Sequence, residues 1–317
     1  MATGLDFEQP IRDLESKIKE LRSFAESHQV DLSDEIRTLE QRLQSLEDSL
    51  YSNLTPWQRV QIARQSGRPT TLEYVRGICE TFVELHGDRN FRDDPAVVGG
   101  IGMLQGQPIT WIGHQRGRDT KENLYRNFGM AHPEGYRKAL RLMRQAEKFG
   151  RPVVFFIDTM GAYPGSSAEE RGQSEAIATN LRAMAGLKTP TISVVTGEGA
   201  SGGALGIGVT DRIYALEYSW YSVIAPESAA AILWRDSTYA EKAAEVMRIT
   251  AQDLVDLRIA DEVIPEPRGG AQKDPNWMIS KVGEKIVAGL KELLQIPIEQ
   301  LLDERYHKYR DMGSFSE

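Results

Sequence analysis

Along the first fifty residues the apolar positions recur at helical spacing. Ile11, Leu14, Ile18 and Leu21 follow at steps of 3, 4 and 3, and Ile36, Leu39, Leu43, Leu46 and Leu50 at 3, 4, 3 and 4. Each set lines one face of a helix whose other face is charged. A loop near 28–33 joins them, with Ser33 and Asp34 as predicted caps of the second helix. The pair predicts a helical hairpin packed on its own domain, with a leucine stripe that also suits docking on a partner.

From Thr55 onward the period changes. A helix is predicted over 72–85, then two β-like runs over 97–104 and 108–114, parted by the hairpin signal Gln105-Gly106-Gln107. Pro133 opens a helix that runs to Phe149. The apolar run 152–158 reads as a strand, and Ser166 with Glu169 reads as a capping box before a helix striped by Ile177, Leu181 and Met184. A buried strand follows over 191–195, and shorter ones over 213–216 and 221–224. Helices are predicted over 239–249, 251–257 and 276–294. Alternation of this kind predicts an α/β fold whose mostly parallel sheet is covered by helices.

Composition narrows the function. The formal net charge of −8 argues against binding governed by nucleic-acid phosphates. Cys79 is the single cysteine, so no intrachain disulfide and no cysteine-based zinc site can form from this chain. The acidic start, with Asp6 and Glu8, lacks the apolar segment of a signal peptide, and no apolar run is long enough to span a bilayer. A soluble protein in a reducing, cytoplasmic setting is expected.

The candidate chemistry lies in TGEGASGGALGIG, residues 196–208. Three readings compete for it. Gly197-x-Gly199-x-x-Gly202, with Glu217 twenty residues past Gly197, matches a dinucleotide fingerprint, but Gly206 and Gly208 leave little helix to follow it. Gly199-Ala200-Ser201-Gly202-Gly203 matches a nucleophile elbow, but only His307 follows Ser201, in a polar C-terminal stretch. The third reading uses backbone alone: glycines at a helix start leave N–H donors free and let a substrate oxygen approach them, which makes an oxyanion hole. A second glycine loop, 158–165, also leaves an apolar strand and enters a helix, so two neighbouring strand ends are expected to flank one crevice.

Longer motifs carry a family resemblance. FIDTMGAYPG, AEERGQSEAIA, GEGASGGALGIGV, YSVIAPES and IPEPRGGA occur in this order, preceded by LDFEQPI, TLEYVR, GHQRGRDTKE and NFGMAHPEGYRKALRLM. Together they resemble the carboxyltransferase α subunit of bacterial or plastid multisubunit acetyl-CoA carboxylase over nearly the whole chain. Two departures are Met160, where the family usually has proline, and Ala200, where it often has glycine.

The resemblance implies a crotonase-like (ClpP/crotonase) α/β fold of repeated ββα units with an N-terminal helical extension. It divides the chain into a helical region 1–53, a carboxyltransferase core 54–268 and a C-terminal helical segment 269–317. It implies transfer of a carboxyl group from carboxybiotin to acetyl-CoA, giving malonyl-CoA for fatty acid synthesis. The biotin rides on a biotin carboxyl carrier protein charged by biotin carboxylase, and this chain holds no covalent cofactor and no metal. A β subunit with a zinc ribbon completes the active site, in an α2β2 unit. On this reading Gly202, Gly203 and Ala204 supply the biotin-side oxyanion hole, and Gly161, Ala162, Gly199 and Ser201 border the substrate. The setting is cytoplasmic, or the stroma in a plastid-bearing host.

No general base is then required, because the ureido anion left by carboxybiotin takes the methyl proton and the enzyme need only stabilise anions. A stand-alone crotonase-type hydratase or hydrolase is the alternative, with Glu198 or Glu227 as its acid or base. The basic run Arg116, Arg118, Lys121, Arg126, Arg137, Lys138, Arg141 and Arg144 reads either as a border for CoA phosphates or as a solvated face.

Overall fold

The computed structural model describes residues 4–313, so the outermost ends of the two helical segments, 1–3 and 314–317, lie outside the described residues. The chain opens with α1 (Gln9–His28) and α2 (Ser33–Ser52), the expected hairpin. Neither Ser33 nor Asp34 caps α2: its N-cap is Leu32, and Ser33 is the first helical residue. Asp31 instead accepts from the backbone N–H and the hydroxyl of Ser33, at 3.0 and 2.6 Å. The base of the hairpin is anchored, because Ile11, Tyr51 and Leu54 pack with Ile62 and Tyr218 of the core. The Tyr51 hydroxyl also donates to Glu8 at 2.9 Å. Away from that base, Phe24 of α1 and Val30 of the connecting loop are exposed.

Next come α3 (Pro56–Ala63) and α4 (Thr71–Ile78). A reciprocal capping box opens α3: the Gln58 N–H donates to the Thr55 hydroxyl, and the Thr55 N–H to the Gln58 side chain. The helix expected over 72–85 stops at Ile78, and β1 (Thr81–Glu84) takes its last residues. That strand exists because it pairs antiparallel with β2 (Val97–Leu104), and local sequence does not report such pairing. β2 turns through Gln105 and Gly106, both at positive φ, into β3 (Gln107–His114).

The middle of the chain is α5 (Thr120–Tyr125), α6 (Pro133–Lys148), β4 (Val153–Thr159), α7 (Ser166–Glu170), α8 (Gln173–Ala185), β5 (Thr191–Ala200) and α9 (Ser201–Leu205). The Ser166–Glu169 capping box does not form; Gly165 is the N-cap of α7, without a side-chain cap. Then follow β6 (Arg212–Leu216), β7 (Trp220–Ser222), α10 (Pro226–Trp234), α11 (Ala240–Met247), α12 (Ala251–Asp256), β8 (Glu262–Ile264), α13 (Pro275–Leu293) and α14 (Ile298–Arg310).

Among the described residues the sheet order is β1-β2-β3-β4-β5-β6-β8, with β7 paired to the far end of β5. The first three strands are antiparallel and the rest parallel. Strand alternation feeds two cores. Val153, Phe155 and Ile157 face a layer built on α6, α8 and α12, whereas Val154 and Phe156 face Val75 of α4 and Met278, Val282 and Ile286 of α13. The C-terminal helices therefore close one face of the sheet. Arg305 of α14 is buried and grips Asp211 through two contacts of 2.7 and 2.8 Å.

Candidate active site

β4 and β5 are adjacent and parallel, so their C-terminal ends deliver both glycine loops to one place. Pairing runs from Ile157 with Val195 to Thr159 with Gly199, so β5 bulges over residues 196–198. Strand β5 is longer than the sequence suggested, because Gly197 and Gly199 lie inside it. A side chain at Gly197 would strike the Asp158 carboxyl group, and one at Gly199 would strike the Tyr221 ring. These two glycines serve close packing. Gly199, expected to border the substrate, is buried with Tyr221 filling the space beside it. The dinucleotide reading fails here too, because its first two glycines are strand residues and α9 is one short turn.

The chain leaves β5 at Ser201, whose φ of 60° is left-handed. Such a conformation is strained for a residue with a Cβ, and it forces the sharp strand-to-helix corner. Ser201 is exposed, Gly202 half-buried, and Gly203 and Ala204 buried. The first N–H groups of a helix have no intrahelical acceptor, and here they belong to Ser201, Gly202 and Gly203. Ala204 stands at the fourth helical position. Across from α9 lies the other loop. A Cβ at Gly203 would sit 2.3 Å from the Gly161 carbonyl carbon and 2.4 Å from the Ala162 nitrogen, so the two backbones touch with no side chain between them. Gly161 has φ 142°, which a residue with a side chain rarely adopts.

Buried polar groups hold both loops. The Thr159 hydroxyl lies 2.7 Å from the Gly129 carbonyl and 2.8 Å from that of Gly161, and it accepts from the Gly161 N–H. Gln173 donates to the carbonyls of Ala131 and Tyr163. Beneath α9, the Tyr136 hydroxyl donates to the Gly203 carbonyl at 3.2 Å, and Asn180 donates to Tyr136 and Gly206 carbonyls. Sequence reasoning did not assign these roles; Tyr136, Gln173 and Asn180 show only as polar groups on helices α6 and α8, and Thr159 only as the last residue of β4.

Behind the crevice lies a set of ion pairs that the sequence did not reveal. Glu198, its side chain 1% exposed, binds Arg64 at 2.7 Å and Arg116 at 2.9 Å. Arg116 also reaches Asp158, which accepts the Glu198 N–H at 3.0 Å. Arg64 continues to Glu227. Burial pushes the Glu227 pKa up, but the hydrogen bond and charge of Arg64 and a backbone hydrogen bond together outweigh it, and the net shift is downward. Both acids weighed for a hydratase are thus tied to arginines. No histidine hydrogen-bonds Ser201 among the described residues, and His307 is exposed on α14. No cluster of His, Cys, Asp or Glu among the described residues could hold a metal ion.

The expected basic run separates. Arg116 is used in the ion pairs, Arg126 pairs with Glu122, and buried Lys138 pairs with Asp93. Arg137, Arg141 and Arg144 line a groove elsewhere. No helix among the described residues is long and apolar enough to cross a membrane.

Residues 4–313 match the family model described as acetyl co-enzyme A carboxylase carboxyltransferase-like. The acetyl-coenzyme A carboxylase carboxyl transferase subunit alpha of Halalkalibacterium halodurans is 60% identical over 316 residues, covering 100% of this chain and 97% of that protein. Its counterpart from Staphylococcus carnosus is 58% identical over 313 residues, covering 99% of each. Among solved structures, the transcarboxylase 12S core with hydrolysed methylmalonyl-coenzyme A has a TM-score of 0.60 at 17% identity, over 76% of this chain and 44% of that one. A Pseudomonas malonate decarboxylase hetero-tetramer in complex with coenzyme A gives 0.55 at 20%, over 67% and 85%. The fold is crotonase-like, and the chain belongs to the acetyl co-enzyme A carboxylase carboxyltransferase-like family.

Proposed function

We propose that this chain is the α subunit of an acetyl-CoA carboxylase carboxyltransferase. With a β subunit it moves a carboxyl group from carboxybiotin, carried on a biotin carboxyl carrier protein, to acetyl-CoA and so forms malonyl-CoA. One observation carries the reading: two glycine loops meet backbone to backbone at adjacent strand ends, with helix-start N–H groups turned to no intrahelical acceptor. Such donors suit an oxygen that gains charge as the carboxyl leaves biotin. Gly202 and Gly203 are the foremost donors in this proposal. Ala204 completes the turn, Ser201 shapes the corner, and Gly161 with Ala162 forms the facing wall. Carboxybiotin arrives as a substrate on its carrier, and this chain's residues orient it and exclude water.

The division into a helical arm 1–53, a core 54–268 and a closing segment 269–317 belongs to the same proposal, as does a cytoplasmic setting. A β subunit supplying the acyl-CoA side, in an α2β2 unit, is supported by apolar surface beside the crevice. Val223 directly follows β7, which pairs with Ala200, and it is 80% exposed; Ile232, Leu233 and Val246 of α10 and α11 are exposed as well. Apolar exposure of this kind marks protein contacts. The test is malonyl-CoA decarboxylation with a biotin analogue, run on this chain alone, on the β subunit alone and on the two together. Only the pair should turn over. Acyl-CoA hydration or hydrolysis by this chain alone would reject the proposal.

A further inference from the structure

Away from the crevice, on the outer face of α8, lies a groove of about 560 Å³ between α6, α8 and the turn at Asp88. Its walls are basic. Arg137, Arg141 and Arg144 project from one face of α6 at steps of four and three, and Arg89 enters from the turn with a left-handed φ of 65°. Two of the four have only backbone partners. Arg89 donates to the His86 carbonyl at 2.9 Å, and Arg141 to the carbonyls of Gly87 and His86 at 3.0 and 3.3 Å. Arg144 makes no hydrogen bond or ion pair among the described residues and is exposed. Only Arg137 meets an acid, Glu175 at 3.1 Å.

The other acid in the groove, Asp88, is tied to the turn through one oxygen, which accepts the N–H groups of Asn90, Phe91 and Arg92, while its other oxygen is buried without a hydrogen-bond partner. Burial, and then repulsion from Arg89, lowers the pKa of Arg141, opposed by the charges of Asp93 and Asp88. A chain of net charge −8 has thus gathered four guanidinium groups around one cavity, against the two carboxylates of Asp88 and Glu175. The floor is apolar, with Leu140 and Ala176 buried.

We propose that this groove binds a small ligand bearing two or more adjacent phosphate groups. Guanidinium forks match phosphate oxygens in pairs, and they are weakly hydrated enough to exchange water for an anion. The volume falls within the ~300–1,000 Å³ of small-molecule sites. It exceeds what a diphosphate alone requires, and the apolar floor gives a nucleoside somewhere to lie. Alpha8 separates the groove from the crevice: Glu175, Ala176 and Thr179 face the groove, while Ile177 lies nearest Gly202. Binding is therefore readable without any carboxyl transfer.

The experiment is calorimetric titration of the full chain with inorganic pyrophosphate and, separately, with ADP. Saturable one-to-one binding is expected, weakened by added salt. The double variant Arg89→Gln with Arg144→Gln alters two exposed side chains without a carboxylate partner, so the fold should be kept. It should weaken binding by about tenfold or more, whereas Lys121→Gln, outside the groove, should not. Tighter binding of ADP supports a nucleotide; equal binding supports the phosphates alone. Three results would overturn the proposal: no saturable binding of either ligand, equal affinity in the double variant, or displacement of pyrophosphate by a poly-glutamate peptide at comparable concentration. The last would assign the groove to an acidic protein surface.

Discussion

Adding a single methyl group at either of two neighbouring glycines separates steric contact from helix chemistry. Neither Gly202 nor Gly203 has a positive φ, so alanine is acceptable to the backbone at both. A Cβ at Gly202 would meet Ile177 at 3.7 and 3.8 Å, which is ordinary contact. At Gly203 the same atom would lie 2.3 Å from the backbone of the 161–162 loop. Relief requires the two loops to part by about 1 Å, and backbone cannot swing aside as a side chain can. Overpacking of this kind costs about 1–3 kcal/mol of stability. The larger effect falls on the reaction, because a displacement near 1 Å, or loss of one oxyanion donor, lowers turnover by about 10²-fold.

Gly203→Ala should therefore lose about 10²-fold in turnover, and Gly202→Ala less than about threefold, the scale of a surface-like change. Both are measured as malonyl-CoA decarboxylation by complexes first shown to assemble by size. If an assembled Gly203→Ala complex kept near-parental turnover, the loop contact would not belong to the reacting site.

Other outcomes follow from the same geometry. Ser201→Ala should retain most activity, since no histidine hydrogen-bonds Ser201 among the described residues; stoichiometric labelling of Ser201 by a fluorophosphonate would revive a nucleophile. Arg305→Ala strips a buried pair and leaves Asp211 unpaired, so a loss of about 3–5 kcal/mol is expected by chemical denaturation. A loss below about 1 kcal/mol would show that water replaces the guanidinium. Burial pushes the His114 pKa down to about 4, opposed by the charge of Asp158. The unfolded chain titrates near 6.5, so between these values it binds more protons than the fold, and stability drops as pH falls through that window. His114→Gln should narrow its stability gap to the parent by about 2 kcal/mol between pH 7 and pH 5, and a gap independent of pH would refute the burial argument.

Much of the architecture was written in local patterns. Helix α6, strands β4 and β5, and helix α13 show a period of 3.6 or an unbroken apolar run, because their burial is regular and leaves a regular mark. The family resemblance likewise pointed to the correct family. What local sequence could not contain is any relation between distant residues. Strand β1 depends on β2 beside it. The glycines at 197 and 199 read as a loop until Asp158 and Tyr221 are seen in the space beside them. Arg64 and Glu198 stand 134 positions apart in the chain yet share a buried contact, and the four arginines of the groove come from a turn and a helix face brought together. Periodicity records which side of an element is buried, whereas only the packed sheet decides which buried groups become neighbours, because that is settled by strand order and register rather than by any residue's own preference.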